Sequence, residues 1–277
     1  MSDIYFLAGM PRSGSTLLAN LLAQNPRMVS SGTSGVIDVL RAIRDTCDNN
    51  QFFKAMGAKR REATKLALLR GAMNGCVAQF EGRAYIDKSR GWPTVFELLG
   101  TILGDRKRIK SIICVRDLRD VLASFEKLYR VTGQTSTTTQ ERANFGKHRT
   151  ALGRAEFIIQ PSEPLGYAID VIRDAVTRGW RDQMFFVDYD MLCSNPEITM
   201  RNIYEFLGED LFSHDFENVK QVIKEDDSIH GFTGLHDIRQ KIEIQEEQWS
   251  KVFDDAIFLT PFWARVTKSS RWWERIK

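Results

Sequence analysis

A glycine-bearing loop near the start of the chain contains the residue types that bind anions. Gly9 and Gly14 have the G-x-x-x-x-G spacing, Arg12 supplies a positive charge, and hydroxyl side chains follow. The loop comes after an apolar segment and before an amphipathic one, so backbone N–H groups and the positive end of a helix would face a bound anion. The residues expected to contact a phosphorylated nucleotide are Pro11, Arg12, Ser13, Gly14, Ser15 and Thr16.

This loop departs from a Walker A motif at the position that matters most for a triphosphate. Thr16 stands where the motif has Ser or Thr, but Ser15 replaces the lysine that normally reaches the β- and γ-phosphates. The cation is instead Arg12, whose forked guanidinium can bind several oxygens of one group. The loop therefore favours a terminal phosphosulfate over a magnesium-bound triphosphate. The simpler alternative is a helix start capped by Ser and Thr side chains.

A second candidate anion site lies further along the chain. Residues 110–115 are predicted to form a buried strand, and Arg116 follows at its carboxyl end, where open α/β sheets bind ligands. Asp117 is predicted to cap the next helix with Asp120 as a weak capping-box partner, and Ser124 lies two turns into that helix. An arginine and a hydroxyl that converge there suit a phosphate. The alternatives are a salt bridge between Arg116 and one of the aspartates, and a packing role for Ser124.

Predicted strands and helices alternate, which indicates an α/β fold with a central parallel sheet and helices on both faces. The predicted strands are residues 4–8, 84–86, 110–115 and 184–187. The predicted helices are residues 17–22, 36–47, 60–80, 93–103, the run after Asp117, 165–179 and 196–207. The polar tract 132–139 is interpreted as a loop near the site or as an insertion without a role. The aromatic tail after Pro261 is expected to pack on the body, and residues 1–277 to form a single domain.

The overall composition narrows the classes of function. A net charge of +3, from 39 basic and 36 acidic side chains, is too balanced for general nucleic-acid binding. The four cysteines are widely spaced and form no C-x-x-C pair, which argues against a zinc site or a disulfide framework and fits a reducing compartment. No apolar run of about 18 residues and no signal-peptide pattern are present, so we expect a cytoplasmic protein without a membrane span.

The segment PRSGSTLL, residues 11–18, resembles the 5′-phosphosulfate loop of sulfotransferases that use PAPS (3′-phosphoadenosine 5′-phosphosulfate). These enzymes have a second signature, a strand that ends in Arg with a Ser eight residues later, and Arg116 and Ser124 match it. The chain is similar to the bacterial and phage-type members, which are related to protein-tyrosine sulfotransferases. The resemblance implies a P-loop-containing three-layer α/β/α fold, PAPS as co-substrate, PAP as product, and a 3′-phosphate held by the second signature.

The resemblance also implies further site residues. Lys88, in YIDKSRGW, matches a lysine that contacts the transferred group, although taken alone it would be interpreted as a solvated lysine. Tyr189, in VDYDML, matches a tyrosine that packs near the adenine, and the alternative is a core tyrosine. Residues 227–242 match a late loop that closes over the nucleotide. The candidate residues in that loop are Ser228, His236, Arg239 and Lys241.

Sulfuryl transfer needs in-line geometry and charge stabilisation more than covalent help. We expect Arg12 and Lys88 to hold the transferred group, without a metal, while a hydroxyl or amine of an acceptor attacks. The base found in relatives is missing, because Thr33 takes the position at which protein-tyrosine sulfotransferases have a glutamate, and no histidine precedes the second motif. The candidate bases in this chain are Asp38, His236 and His148.

Two other functions fit parts of the pattern. A P-loop kinase or NTPase would need ATP and magnesium, and the missing P-loop lysine argues against it. A non-catalytic sensor would bind PAP or a similar nucleotide and transfer nothing, which the missing glutamate leaves open. A transferase implies an acceptor substrate, and carbohydrate, small alcohol, phenol and peptide acceptors all fit the sequence. The sequence leaves the oligomeric state open.

Overall fold

The computed structural model describes residues 3–80, 82–132, 149–230, 232, 234–244 and 247–276. Two sequence expectations lie outside these ranges: residues 133–139 of the polar tract, and the candidate base His148. None of the helices in the described ranges is long and apolar enough to cross a membrane.

Five parallel strands form one sheet in the described part of the chain, in the order β2-β3-β1-β4-β5. The strands are β1 (Ile4–Gly9), β2 (Met28–Thr33), β3 (Ala84–Lys88), β4 (Ser111–Val115) and β5 (Met184–Asp188). Leu7 pairs with Lys88 and Gly9 pairs with Cys114, so the carboxyl ends of β1, β3 and β4 lie side by side. Parallel pairing thus brings the residues that follow these three strands to one edge of the sheet.

The helices that connect and follow the strands are α1 (Ser15–Leu22), α2 (Val36–Asn49), α3 (Gln51–Ala55), α4 (Ala58–Ala78), α5 (Phe96–Leu103), α6 (Leu118–Thr132), α7 (Ala151–Ile158), α8 (Pro164–Thr177), α9 (Tyr189–Ser194), α10 (Pro196–Leu207), α11 (Trp249–Val252), α12 (Asp255–Phe258) and α13 (Pro261–Lys268). Short 3-10 turns are formed by Trp92–Val95, Arg106–Arg108, Arg181–Gln183, Asp227–His230 and Trp272–Arg275. The predicted helix at 93–103 therefore begins as a 3-10 turn.

Helices cover both faces of the sheet, and the central strand shows why. In β1, Phe6 belongs to the apolar cluster on one face, whereas Leu7 belongs to the cluster on the other. Both side chains are fully buried. The expected three-layer α/β/α fold with a central parallel sheet is confirmed.

The aromatic tail packs on the body, as expected. Trp263, Trp272 and Trp273 are buried in the apolar cluster that also contains Phe6. Burial of large aromatic rings contributes strongly to the core, so the tail is part of the folded structure rather than an appendage.

Strand β2 and helix α9 are among the elements that the sequence analysis did not predict, as are α3, α7, α11, α12 and α13. β2 contains Ser30, Ser31 and Gly32, which have low strand propensity, and it lies at one edge of the described sheet. Its pairing with β3 shifts register between Ser30 and Thr33. The short α9 is set by Asp188, whose side chain caps it by accepting from the backbone N–H of residue 190.

The capping role predicted for Asp120 is wrong. Asp117 does accept a hydrogen bond from the backbone N–H of Arg119, at 2.9 Å. Asp120 instead accepts from the backbone N–H groups of Gln248 and Trp249, at 2.9 and 3.3 Å. It therefore ties α6 to the segment that leads into α11.

Candidate active site

A cavity of about 640 Å³ opens at the carboxyl edge of the sheet, where the residues after β1, β3 and β4 meet. The residues of the glycine-bearing loop that line the cavity are Gly9, Met10, Pro11, Arg12, Gly14, Ser15 and Thr16. Lys88 is the last residue of β3, Arg116 follows β4, and both line the same cavity with Ser124 and Tyr189. The fold thus brings the two predicted anion sites together.

The two glycines of the loop are required by its geometry. Gly9 has φ +139°, and a Cβ there would lie 2.2 Å from the carbonyl oxygen of Cys114. Gly14 has φ +84°, and its Cβ would lie 2.5 Å from Cδ2 of Tyr189. A side chain at either position would collide with a neighbouring element, so only glycine allows the loop to sit this close to β4 and α9.

Helix α1 begins without a side-chain cap. Gly14 is its N-cap residue, and no side chain of the described residues accepts a hydrogen bond from the first turn at that position. Hence the simpler interpretation of Ser13, Ser15 and Thr16 as caps is wrong. The uncapped N–H groups lie at the loop that lines the cavity, which is the arrangement that binds phosphate groups.

Ser13 differs from its neighbours in the loop. Its hydroxyl is buried and lies 2.6 Å from the carbonyl oxygen of Met10 and 3.0 Å from that of Cys114. The side chain therefore holds the loop against β4, and Ser13 is not among the residues that line the cavity.

Arg12 connects the two anion sites. Its Nε donates to Oγ of Ser124 at 3.0 Å, and its guanidinium also donates to the carbonyl oxygen of Leu235. Burial and the nearby charge of Arg116 lower the pKa of Arg12. Arg12 also has φ +59°, a left-handed conformation that is uncommon for a residue other than glycine and is often found at functional sites.

Arg116 lies across the face of Tyr189, with its guanidinium carbon 4.3 Å from the ring centroid. One of its terminal nitrogens donates to the carbonyl oxygen of Arg12 at 3.4 Å. Its Nε is buried and has no hydrogen-bond partner among the described residues. Asp117 pairs with Arg119 at 2.8 Å, so it does not form the alternative salt bridge with Arg116. A buried donor without a partner fits a site that an anionic ligand completes.

Lys88 is buried beside the loop rather than solvated. Its Nζ donates to Oγ1 of Thr16 at 3.1 Å and to Oε1 of Glu225 at 2.7 Å. Burial lowers the pKa of Lys88, and the charge of Glu225 offsets part of this effect. The lysine therefore extends towards the start of α1, where the loop would hold an anion.

The sequence analysis missed Glu225. Burial raises its pKa, but the charge and hydrogen bond of Lys88 and hydrogen bonds from Thr33 outweigh burial, so the pKa is lowered to about 2. Thr33 takes the position at which the related enzymes have a glutamate. In the folded chain the carboxylate of Glu225, from a distant segment, lies next to Thr33. No sequence signal marks Glu225, because it lies in a polar segment without helical or strand periodicity.

The candidate base His236 lines the cavity and has a carboxylate on each side. Its Nδ1 lies 2.5 Å from Oδ1 of Asp227, and its Nε2 lies 3.6 Å from Oε2 of Glu225. Asp227 was not singled out in the sequence either. The imidazole is thus held between two acidic groups at the edge of the cavity.

Three other candidates are less well placed. Asp38 has a side chain that is 74% exposed, lies 3.5 Å from Arg41, and does not line the cavity. Ser228 is exposed, and its hydroxyl bonds to Asp226 at 2.5 Å. Lys241 lines the cavity, but its Nζ pairs with an exposed carboxylate, that of Glu217, at 2.6 Å.

Comparison with known proteins identifies one family. The sequence profile of the sulfotransferase family matches residues 5–214. The solved sulfotransferase domain from the curacin biosynthetic pathway is 15% identical, with a TM-score of 0.56 over 97% of each chain. The sulfotransferase domain from the Synechococcus PCC 7002 olefin synthase is 20% identical, with a TM-score of 0.46 over 94% of this chain and 83% of that one.

A sulfotransferase from Alicyclobacillus acidocaldarius is 15% identical, with a TM-score of 0.45 over 83% of this chain and 88% of the other. No curated protein sequence matches the chain. At such identities, the likeness to the curacin-pathway domain concerns the fold alone.

Proposed function

The chain belongs to the sulfotransferase family, and on that premise we propose that it takes its sulfuryl group from PAPS and releases PAP. As a sulfotransferase it transfers a sulfuryl group to an acceptor substrate. The observation that carries the choice of donor is the contact between Arg12 and Ser124, at 3.0 Å. It joins a loop suited to a phosphosulfate with a second anion site in one cavity, and PAPS has anionic groups at two ends.

Each end of the donor has residues of matching chemistry. The loop N–H groups at residues 13–16, together with Arg12 and Lys88, would hold the 5′-phosphosulfate. Arg116 and Ser124 would hold the 3′-phosphate, and the partnerless Nε of Arg116 supports this assignment. Tyr189, already stacked on Arg116, offers an aromatic ring near the adenine.

The reaction is then an in-line displacement at sulfur. A hydroxyl or amine of the acceptor attacks, and the bond between sulfur and the 5′-phosphate oxygen breaks. Lys88 and Arg12 stabilise the charge that moves onto the departing phosphate, because both are cations held close to the loop. Their buried position strengthens this effect relative to solvent-exposed cations.

The remaining proposals concern the whole chain. We place residues 1–277 in one sulfotransferase domain, and we place the protein in the cytoplasm. The second proposal is supported by the four cysteines, Cys47, Cys76, Cys114 and Cys193, all of which are free thiols.

A binding and transfer experiment tests the donor. We expect calorimetry to detect tight binding of PAP, weak binding of ATP, and no gain from magnesium. Incubation with ³⁵S-labelled PAPS and an acceptor extract should then transfer label to a product. Tight binding of ATP with magnesium and no binding of PAP would contradict the choice of donor. Binding of PAP without any transfer of label would indicate a nucleotide sensor instead.

A further inference from the structure

A carboxylate whose side chain is only 10% exposed, that of Glu225, lies between two groups of the site. Oε1 of Glu225 is 2.7 Å from Nζ of Lys88, and Oε2 is 3.6 Å from Nε2 of His236. A Cβ on Gly32 would lie 2.9 Å from Cγ of Glu225, so the glycine in β2 leaves the space that this side chain fills. The two oxygens of one carboxylate thus face the lysine on one side and the imidazole on the other.

The other side of the imidazole is fixed by Asp227. Nδ1 of His236 lies 2.5 Å from one oxygen of this carboxylate, and the backbone N–H of His236 donates to the other oxygen at 3.0 Å. A carboxylate at Nδ1 sets the orientation of the ring and directs Nε2 towards Glu225. His236 lines the cavity, whereas Glu225 and Asp227 do not. The histidine is therefore the member of the three that can touch a substrate.

Carboxylates face both nitrogens of the His236 ring, and cations lie near them. Asp227 and Glu225 face its two nitrogens, and the cations Lys88 and Arg12 lie beyond these carboxylates. Glu225 also neutralises Lys88, so a proton that arrives on His236 does not meet an uncompensated lysine charge. Removal of Glu225 would expose the imidazole to that charge.

We propose that His236 accepts the proton of the acceptor and that Glu225 is a positioning residue that couples His236 to Lys88. This inference rests on the proposed function, because it concerns the same cavity. Asp227 is the second positioning residue, and it holds the ring from its Nδ1 side.

The transfer step balances with these roles. The hydroxyl oxygen of the acceptor forms the new bond to sulfur, and the bond from sulfur to the 5′-phosphate oxygen breaks. The electron pair of that bond leaves with the 5′-phosphate, and the hydroxyl proton moves to Nε2 of His236. Lys88 contacts Thr16 of the loop, so the coupling keeps the proton acceptor near the group that is transferred.

The pKa of His236 is the direct readout of this coupling. We would record the histidine ring signals by NMR across pH 5–9 with PAP bound, and assign His236 from their loss in His236→Gln. Glu225→Gln is expected to move the pH response of the His236 signals to lower pH than in wild type, since one of two nearby negative charges is lost. Glu225→Asp, which withdraws the carboxylate by one methylene, should give a smaller change of the same sign, and it serves if the glutamine variant does not fold.

Transfer of label from ³⁵S-labelled PAPS to an acceptor extract gives the second readout. Glu225→Gln should lower the rate about tenfold or more and move the acid limb of the pH profile to lower pH, while PAP affinity stays within about threefold. Asp48→Asn is the matched control. It removes a carboxylate 2.6 Å from Lys65, outside the cavity, and should change neither rate nor profile.

An unmoved pKa of His236 in both Glu225 variants would overturn the coupling, and so would an unchanged acid limb. Failure of the proposed function looks different. In that case the wild-type protein itself would bind no PAP or transfer no label, whereas the pKa of His236 would still shift on substitution of Glu225, because the titration can also be run without nucleotide.

Discussion

Arg116 differs from the other cations of the cavity in how its donors are used. Arg12 and Lys88 each donate to protein oxygens, but Nε of Arg116 is buried without a partner among the described residues. Leaving a buried donor unpaired costs about 1–3 kcal/mol, so a ligand that accepts from it recovers this free energy. Stacking on Tyr189 holds the guanidinium in place for such a ligand.

Arg116→Ala should therefore weaken PAP binding by about 10- to 100-fold, which corresponds to about 1.5–3 kcal/mol for a charge-assisted hydrogen bond. AMP lacks the 3′-phosphate, so its weaker binding should change much less. Calorimetric titration of both nucleotides into wild type and variant measures the difference. Loss of discrimination between PAP and AMP identifies the 3′-phosphate as the group that Arg116 contacts.

Arg119→Ala is the control for this substitution. Arg119 is a close neighbour in sequence, but it pairs with Asp117 and does not line the cavity. Its removal should leave PAP affinity unchanged. Equal affinity of wild type and Arg116→Ala for PAP would mean that the second motif is assigned wrongly.

The glycine-bearing loop after β1 contacts the start of helix α9, and this contact holds residues of the cavity in place. The loop after β1 passes so close to the start of α9 that Gly14 has no room for a side chain beside Tyr189. The ring of Tyr189 in turn carries Arg116. Gly14, Tyr189 and Arg116 follow the ends of β1, β5 and β4, and their contacts connect these three strand ends.

Gly14→Ala should lower the free energy of unfolding and weaken PAP binding together. The left-handed backbone alone costs about 1–2 kcal/mol for a residue with a Cβ, and the clash with the ring adds to it. Urea unfolding and PAP titration measure the two effects. The double variant with Tyr189→Ala removes the clash but keeps the strained backbone, so the two substitutions should cost less together than the sum of each alone.

Gly75→Ala is the matched control for Gly14→Ala. Gly75 lies within α4, and a Cβ there meets nothing within 4 Å. The substitution should stabilise the protein by about 0.5–1 kcal/mol, since alanine favours a helix over glycine. A Gly14→Ala variant as stable as wild type would show that the loop can move away from α9.

The sequence could predict the elements with clear hydrophobic periodicity and the residues directly attached to them. Strands β1, β3 and β4 each end at a cation or lead into one, and parallel pairing brings Arg12, Lys88 and Arg116 to one edge of the sheet. The site role of Lys88 was predicted from the resemblance to sulfotransferases. Strand β2 escaped prediction because its polar residues and glycine give no strand pattern. Asp38 was considered from its position in the chain, but it lies on the exposed face of α2.

Contacts made by segments without a periodic pattern could not be predicted. Lys88 and Glu225 are separated by 137 positions, and Glu225 lies in a segment without periodic pattern. Its carboxylate reaches Lys88 only because that segment folds back against β2 and β3. A single sequence contains no signal for such a contact, which depends on tertiary packing rather than on local propensity.

At the scale of the whole molecule, acid acts on the fold through groups whose pKa differs between the folded and the unfolded chain. Glu225 has a pKa of about 2, below that of an exposed glutamate, so its contribution to stability is present above pH 4.5 and is lost only in stronger acid. His214 is affected at milder pH. It lies among Tyr204, Phe212 and Phe216, with Nε2 at 3.1 Å from the hydroxyl of Tyr204.

Burial lowers the pKa of His214 to about 4, from 6.5 in the unfolded chain. Between these two values the unfolded state binds more protons than the folded state, so stability falls as pH decreases through this window and is constant below it. We expect a loss of about 2 kcal/mol between pH 7.5 and pH 5 from this residue. Urea unfolding at the two pH values measures it.

His214→Phe isolates that contribution, because the variant keeps the aromatic packing and removes the titrating ring. Every other group that titrates between pH 7.5 and pH 5 is common to both proteins, so subtraction of their pH dependences leaves His214 alone. The variant should lose about 2 kcal/mol less than wild type over this interval. Identical losses in both proteins would mean that His214 takes up a proton as readily in the folded state as in the unfolded state. The packing of residues 212–216 against α10 would then be looser than the structure indicates, since a charged imidazole requires water among these rings.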